Sequence, residues 1–250
     1  MVDTPKACDP HFDLFPFAHP LRHLTESTNR GRRTKIVAIG SSSTAGEPSA
    51  PDWQVKIVPY PARLELALRR SYFGAMIDVL NRGLGGQEAP EELSRFESDV
   101  IAEAPALVIW QVGTNAVFHS CVYNQADIAA AIKTGLRWLA RLPMDVVLMD
   151  LQYTTAVAKP DKIELSRQIE KIILDAANEA NVNVFRRWAL MEKWVKDGVA
   201  SVDDLTDPAD TQDHLHMSEW ATACVSQALV GTILKAPPPP PNSCCGAPIS

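Results

Sequence analysis

The chain has 250 residues, of which 46% are hydrophobic and 22% are charged, an ordinary composition for a globular protein with room for one large domain. Its net charge of −6 comes with no cluster of basic residues, which excludes the usual electrostatic surface of a nucleic-acid-binding protein. No apolar run reaches the roughly 18 residues of a membrane-spanning helix, so we expect no membrane insertion.

The two ends of the chain differ in composition from its middle. Residues 1–34 contain four prolines among polar residues and predict an N-terminal arm. They lack the basic-then-apolar order of a secretory signal, which predicts a cytoplasmic location. Residues 35–235 form one predicted domain, and the proline-rich residues 236–250 predict a disordered tail. The five cysteines show no metal-binding spacing, so we expect reduced structural thiols.

Five short apolar runs predict β-strands that alternate with segments of helical period. The runs are 35–39, 75–80, 106–110, 145–149 and 182–185. The helical segments are 61–70, 90–101, 124–139, 161–180, 188–195 and 218–234. This alternation is typical of βαβ units with right-handed crossovers, and it predicts an α/β fold of three layers around a parallel sheet.

Polar residues inside two of the runs indicate the order of the strands. Asp78 interrupts the second run and Asn183 the fifth, whereas the other three runs are apolar through their centres. A polar side chain in the middle of a strand costs less at a sheet edge, where water can reach it. We therefore predict a five-stranded, flavodoxin-like sheet in the order 2-1-3-4-5.

Residues suited to acyl transfer follow the ends of four of these strands. Ser42 follows the first strand, Gly83 to Gly86 follow the second, Asn115 follows the third, and Asp213 and His216 follow the fifth. Ligands bind at the carboxyl ends of parallel strands, so these residues are expected to meet at one edge of the sheet. Together they offer a nucleophile, a base, an orienting carboxylate and hydrogen-bond donors for an oxyanion.

Four short motifs in this order resemble the SGNH (GDSL-type) hydrolases across most of residues 35–235. They are GSSSTAG at 40–46, NRGLGG at 81–86, GTNA at 113–116 and DHLH at 213–216. Ser41 and Ala116 depart from the family, which usually has aspartate at both positions. Each motif is weak alone, and their order along the chain, each after its expected strand, carries the resemblance.

The resemblance implies a serine esterase that needs no cofactor and no metal. It makes Ser42 the nucleophile, His216 the base and Asp213 the carboxylate that orients the histidine. The oxyanion hole is then formed by the backbone N–H groups of Ser42 and Gly86 and by the Asn115 side chain. The implied partner is a small-molecule ester, and the sequence carries no signal of oligomeric state.

The preferred substrates are small acyl esters of the acetyl type. No long apolar stripe is left over to line a tunnel for a fatty chain. Trp53 and Tyr60, in the long loop after Ser42, and Phe118, after Asn115, are expected to form the walls of the acyl site.

Other functions fit parts of the same pattern. A thioesterase or lysophospholipase would use the same residues, and a non-catalytic binding domain could share the fold. Asp213, His214 and His216 could hold a metal in a metal-assisted hydrolase. The aspartates between positions 203 and 210 are expected to form a solvated loop.

Overall fold

The computed structural model describes residues 7–8, 15–31, 33–46 and 57–240. It contains a five-stranded parallel sheet in the order β2-β1-β3-β4-β5, which confirms the predicted fold. The strands are β1 Arg33–Gly40, β2 Met76–Gly83, β3 Leu107–Gln111, β4 Asp145–Met149 and β5 Asn183–Phe185.

The predicted helices lie between these strands or after the last of them, with several short helices added in the connecting loops. The helices are α1 Arg22–Asn29, α2 Ser42–Ala45, α3 Tyr60–Ser71, α4 Ala89–Ser94, α5 Thr114–Phe118, α6 Gln125–Leu139, α7 Thr155–Ala158, α8 Ile163–Ala180, α9 Arg187–Lys196, α10 Val202–Leu205 and α11 Glu219–Leu234. A π-helical turn at Glu97–Ile101 follows α4.

Local sequence signals set several of the helix starts. The Asn124 side chain accepts the amide of Asp127 at 2.9 Å and caps α6. Ser218 caps α11 in the same way, accepting the amide of Ala221 at 3.2 Å. Such caps satisfy amide groups that have no acceptor within the helix.

Apolar side chains cover both faces of the sheet, which gives the three layers. On one face, Trp110 of β3 packs among residues of α6 and α8. On the other face, Ile109 of the same strand packs among residues of α3, α9 and α11. Because neighbouring side chains of a strand point to opposite faces, a strand buried on both faces is a continuous apolar run in the sequence.

The two polar strand residues lie at opposite sheet edges, where protein groups bind them. Asp78 of β2 accepts hydrogen bonds from Arg33 and from Arg69. Asn183 of β5 exchanges two hydrogen bonds with the backbone of His19, at 2.9 and 2.8 Å. The prediction of edge positions is therefore confirmed, although here side chains and the N-terminal segment supply the partners expected from water.

The described part of the N-terminal segment packs against the sheet. Phe17, Leu21 and Leu24 are buried in the same apolar layer as α11. The Leu24 amide donates to the Asp145 carboxylate at 2.9 Å, which ties α1 to β4. β1 begins at Arg33, so the strand starts inside the segment predicted as an arm.

A disulfide joins Cys8 to Cys224 of α11, with Cα atoms 5.3 Å apart. The expectation of reduced thiols is therefore wrong for these two cysteines, because a pair 216 residues apart meets only when the N-terminal segment crosses α11. Cys121 is a free, exposed thiol. Across the described ranges, none of the helices is both long and apolar enough to cross a membrane.

Candidate active site

Ser42 and His216 meet at the carboxyl edge of the sheet, as the sequence predicts. Ser42 is the first residue of α2, directly after the turn that ends β1. Its Oγ lies 3.1 Å from Nε2 of His216, within hydrogen-bonding distance. His216 lies just before α11, and its side chain is 22% exposed, so the pair is open to a substrate.

The carboxylate that binds the histidine is Asp210. Its Oδ2 lies 2.8 Å from Nδ1 of His216 and also accepts the amides of Leu215 and His216 at 2.8 and 2.9 Å. Burial acts to raise the pKa of Asp210, but the hydrogen bonds from the backbone and ring of His216 and from Leu215 outweigh it and hold this pKa below its usual value.

The prediction of Asp213 as the orienting carboxylate is wrong in this structure. Asp213 is exposed, and its amide donates to Oδ1 of Asp210 at 3.3 Å. His214 takes a left-handed conformation with φ of 51°, and the turn directs the amides of Leu215 and His216 onto Asp210. The loop of aspartates is therefore not solvated throughout, since Asp210 is only 3% exposed.

Gln111, at the end of β3, holds the loop that carries Ser42. Its Oε1 accepts the amide and hydroxyl of Ser41 at 3.1 and 3.0 Å. The same oxygen accepts the hydroxyls of Ser43 at 2.9 Å and Thr44 at 3.2 Å. Ser41, which stands where GDSL-type enzymes have aspartate, is thus a donor to Gln111.

A buried cation lies behind this loop. Arg187 is fully buried and donates to the backbone carbonyl of Asp150 through Nε at 3.1 Å and Nη2 at 2.8 Å. Its Nη1 lies 3.3 Å from the hydroxyl of Ser43. Burial lowers the pKa of Arg187 to about 10, so the guanidinium stays charged at neutral pH.

The two loops predicted to supply oxyanion donors contact each other. Asn115 is buried at the start of α5, and its Nδ2 donates to the carbonyl of Gln87 at 2.7 Å. Gly86 has a positive φ of 76°, and its carbonyl accepts the hydroxyl of Tyr123 at 3.3 Å. The structure therefore places Asn115 beside the segment that contains Gly86.

A small cavity of about 30 Å³ adjoins Ser42 and His216. Its described lining residues are Ser42, Ser43, Gly46, Ile57, Pro59, His216, Met217 and Thr222.

The predicted walls of the acyl site do not line this cavity. Tyr60 is fully buried in the core, because it begins α3 with its ring directed into the apolar layer, so its assignment to the substrate site is wrong. Phe118 is half-buried against the opposite apolar layer, with its ring against His119. Trp53 lies outside the described residues.

No group of three or more histidine, cysteine, aspartate or glutamate side chains in the described ranges could hold a metal ion. His216 is instead bonded to a serine on one side and to Asp210 on the other. The described residues therefore offer no ligand set for the metal-assisted alternative.

The family comparison indicates a lipase-like hydrolase. Residues 7–237 match the model of the Non-GDSL lipase-like family, and the chain belongs to that family. This match supports the resemblance to SGNH-like hydrolases, and its name is not specific to GDSL-type enzymes. Ser41 in place of the GDSL aspartate agrees with that distinction.

Two solved structures share the fold at low sequence identity. Axe2, an acetylxylan esterase from Geobacillus stearothermophilus, is 20% identical, with a TM-score of 0.67 over 80% of this chain and 94% of that chain. LAE5, an alpha/beta hydrolase from the metagenome of Lake Arreo, Spain, is 13% identical, with a TM-score of 0.64 over 82% of this chain and 96% of that chain.

A curated relative matches a shorter segment. The uncharacterized lipoprotein YqeF of Bacillus subtilis (strain 168) is 31% identical over 80 residues, which are 32% of this chain and 31% of the lipoprotein. The aligned segment therefore spans about a third of that protein's length.

Sequence reasoning missed three residues that hold the site together. Gln111 carried a signal, because it is a polar residue at the carboxyl end of an otherwise apolar strand. Asp210 carried none that separates it from its neighbouring aspartates. Arg187 is the first residue of α9, and in the sequence it resembles an exposed basic residue at a helix end. Its burial depends on the packing of α9 beneath Ser43.

Proposed function

We propose that this protein is a serine esterase that hydrolyses small acyl esters of the acetyl type through an acyl-serine intermediate at Ser42. One observation carries the proposal. Ser42 Oγ lies 3.1 Å from Nε2 of His216, and Nδ1 of the same ring lies 2.8 Å from Asp210. This is the hydrogen-bond order of a nucleophile, a general base and an orienting carboxylate.

In the proposed reaction, Ser42 Oγ attacks the ester carbonyl while His216 Nε2 accepts the serine proton. The tetrahedral intermediate expels the alcohol, which takes that proton from His216, and the acyl group remains on Ser42. A water molecule then attacks the acyl group with His216 again as base, releasing the acid and restoring the serine. Asp210 fixes the tautomer with the proton on Nδ1, and its lowered pKa keeps it ionised to offset the imidazolium charge.

The oxyanion donors are proposed to be the amides of Ser42 and Gly86 and the side chain of Asn115. Ser42 is at the first position of α2, where an amide has no acceptor within the helix. Asn115 Nδ2 carries two N–H groups, and the bond to Gln87 uses one of them, which leaves the second for an oxyanion. Losing one such donor typically costs about 3 kcal/mol of transition-state stabilisation.

A solved structure with the same fold suggests the first class of substrate. Axe2, which shares the fold, is an acetylxylan esterase. Acetyl esters of a carbohydrate are therefore the first class of substrate to assay.

Catalytic mutants of Axe2 replace a serine, an aspartate and a histidine. In Axe2 this aspartate stands three positions before the histidine, which is the spacing of Asp213 in this chain. The hydrogen bonds here favour Asp210 instead. Substituting each aspartate in turn separates the spacing seen in Axe2 from the hydrogen-bond geometry of this chain.

The proposal is tested with purified protein, p-nitrophenyl esters of increasing acyl length and the Ser42→Ala variant. We expect the highest kcat/KM with acetate and a loss of at least about a thousandfold on substitution of Ser42. Unaltered turnover by Ser42→Ala would overturn the mechanism. A maximum at long acyl chains, or with acyl thioesters, would instead support the lysophospholipase or thioesterase alternative.

A non-catalytic binding domain gives a different result. An inert serine does not react with a fluorophosphonate probe, whereas an activated serine does. The same protein preparation therefore decides between an enzyme and a binding module.

A further inference from the structure

Glu88 is a buried carboxylate that bonds both to its own segment, next to Gly86, and to the loop of Asn115. We infer that Glu88 is a positioning residue, which sets the separation and orientation of the two oxyanion donors supplied by Gly86 and Asn115. The inference rests on the proposed function, since it concerns the donors of that reaction. Glu88 itself is not placed in contact with the substrate.

The carboxylate of Glu88 divides its hydrogen bonds between its two oxygens. Oε1 accepts the amide of Gly113 at 2.8 Å and that of Ala89 at 3.0 Å. Oε2 accepts the amide of Ala116 at 2.9 Å. Glu88 is 1% exposed, so solvent does not replace these bonds when they are lost. One carboxylate therefore binds an amide on each side of Asn115, that of Gly113 two residues before it and that of Ala116 directly after it.

The segment of residues 86–88 also contacts the Asn115 side chain directly. Gly86 lies two residues before Glu88, and Asn115 donates to the carbonyl of the intervening Gln87. These bonds close a ring between residues 86–88 and residues 113–116. The position of one donor is thereby linked to the position of the other.

This arrangement explains how the loop is held without the aspartate that SGNH-type enzymes usually have at position 116. Ala116 has no polar side chain, but its amide is bound to Glu88. Gly113 permits the turn into α5 with a φ of 97°, and its amide is bound to the same carboxylate. Glu88, on the neighbouring loop, therefore supports the Asn115 loop in place of the missing aspartate.

A carboxylate is required because both of its oxygens accept. In Glu88→Gln one oxygen becomes an NH₂ group, which can only donate, and it would face an amide N–H of the loop. One of the two bonds to the loop is then lost and replaced by repulsion. The Asn115 side chain should move relative to Gly86, and an oxyanion hole is sensitive to shifts well below 1 Å.

Glu92 provides a matched control, because it lies one helical turn further along α4 and is also fully buried. Its side chain bonds Trp110 Nε1 at 2.7 Å and accepts no described hydrogen bond from the Asn115 loop. Burial raises the pKa of Glu88 and of Glu92, so the two glutamates share a desolvated environment. Glu92→Gln makes the same chemical change but removes none of the hydrogen bonds described between Glu88 and the loop.

The test compares kcat and KM for p-nitrophenyl acetate with the inhibition constant of methylboronic acid, which forms a tetrahedral adduct on a reactive serine. Glu88→Gln is expected to lower kcat by about 10- to 100-fold with KM within threefold, and to weaken the boronic acid by a similar factor. Glu92→Gln should leave all three values within about twofold. A merely structural role would lower the melting temperature without this split between kcat and KM.

A second set of variants separates positioning from general damage. In an Asn115→Ala background one donor is already lost, so adding Glu88→Gln should cost far less than it does in the wild type. Equal effects of Glu88→Gln and Glu92→Gln, or full additivity with Asn115→Ala, would overturn the inference. If Glu88→Gln does not fold, Glu88→Asp replaces it, because aspartate keeps the charge but moves the carboxylate oxygens away from the loop. A wild-type kcat and wild-type inhibition by the boronic acid in Glu88→Asp would overturn the inference.

These outcomes differ from failure of the proposed function. If Ser42→Ala retains full turnover, the esterase mechanism fails whatever Glu88 does. If Ser42→Ala is inactive and Glu88→Gln behaves as wild type, only the inference about Glu88 fails.

Discussion

Asp150 and Asp210 are two buried aspartates whose surroundings have opposite effects on them. Asp210, 3% exposed, accepts two backbone amides and the ring of His216 through Oδ2, and its pKa is held below the usual value. Asp150 is fully buried at the end of β4, and its Oδ1 accepts the amide of Trp188. Its Oδ2 has no hydrogen-bond partner among the described residues, and burial raises its pKa to about 7.

The comparison shows that burial alone does not decide the charge of a carboxylate. Donors aimed at Asp210 stabilise its ionised form, whereas Asp150 is desolvated with too few donors and is pushed toward its neutral form. A carboxylate that must orient His216 and offset its positive charge needs the donor-rich environment of Asp210.

The largest expected effect comes from neutralising Asp210. Asp210→Asn should preserve the packing but favour the wrong tautomer of His216, and we expect kcat to fall by roughly 10⁴-fold, as it does in serine hydrolases with a Ser-His-Asp triad. Steady-state kinetics on p-nitrophenyl acetate measure the loss.

The matched control for this prediction is Asp213→Asn. Asp213 is exposed and touches Asp210 only through its backbone amide, so this substitution should leave kcat within about threefold. A large loss in Asp213→Asn with little loss in Asp210→Asn would mean that the spacing found in Axe2, and not the present geometry, identifies the functional aspartate.

The next effect concerns the pH dependence of stability. Asp150 has a folded-state pKa of about 7, above the ordinary value of 3.8, so its contribution to stability is fully present below pH 3.8 and is lost as the pH rises through 7. A difference of about three pKa units corresponds to roughly 4 kcal/mol. Asp150→Asn cannot ionise and should not show this loss.

Denaturant unfolding of the wild type and of Asp150→Asn at several pH values between 4 and 8 measures this difference. As the pH rises from 4 to 8, the free energy of unfolding of the variant should increase relative to that of the wild type by up to about 4 kcal/mol. Parallel stability curves would show that Asp150 finds donors when it ionises, and the contrast with Asp210 would disappear.

A smaller effect is expected at Gln111, which shows how one buried acceptor serves several donors. Gln111→Met removes the oxygen that accepts four hydrogen bonds from residues 41–44. We expect a loss of about 2 kcal/mol in the free energy of unfolding, because buried donors are left unsatisfied. A fall of about tenfold in kcat should follow, since Ser42 lies within this loop. Thermal unfolding and kinetics together check both effects, and unchanged values in both would refute the role of Gln111.

Much of the fold follows from the sequence because its signals are local and periodic. Strands buried on both faces are apolar runs, and the polar residues Asp78 and Asn183 indicate the edges because an edge offers partners that a central strand does not. Ser42 and His216 could be placed because each follows a strand or precedes a helix whose position is predictable. The motif order along the chain then brings them to one edge.

The carboxylate could not be assigned from the sequence because the loop between positions 207 and 216 has no period. The amide of Asp207 donates to the carbonyl of His216 at 2.8 Å, which closes the loop, and the turn at His214 decides which aspartate points inward. The sequence offers several aspartates in this loop and does not distinguish the one that points inward. The folded loop places Asp210 against His216, whereas the spacing along the sequence suggests Asp213.

The disulfide was also invisible in the sequence. Cys8 and Cys224 are separated by nearly the whole chain, and only the docking of the N-terminal segment on α11 brings them together. Such bonds persist in oxidising compartments and are rare in the cytosol, so thiol trapping in the native host tests the predicted cytoplasmic location.

The most direct test of the account measures how fast a fluorophosphonate probe labels the wild type, Asp210→Asn, Asp213→Asn and His216→Ala, with the adduct located by peptide mass spectrometry. The account predicts an adduct on Ser42, formed at similar rates in the wild type and Asp213→Asn and at least about a hundredfold more slowly in the other two. An adduct on another residue, or slow labelling in Asp213→Asn with a normal rate in Asp210→Asn, would contradict it.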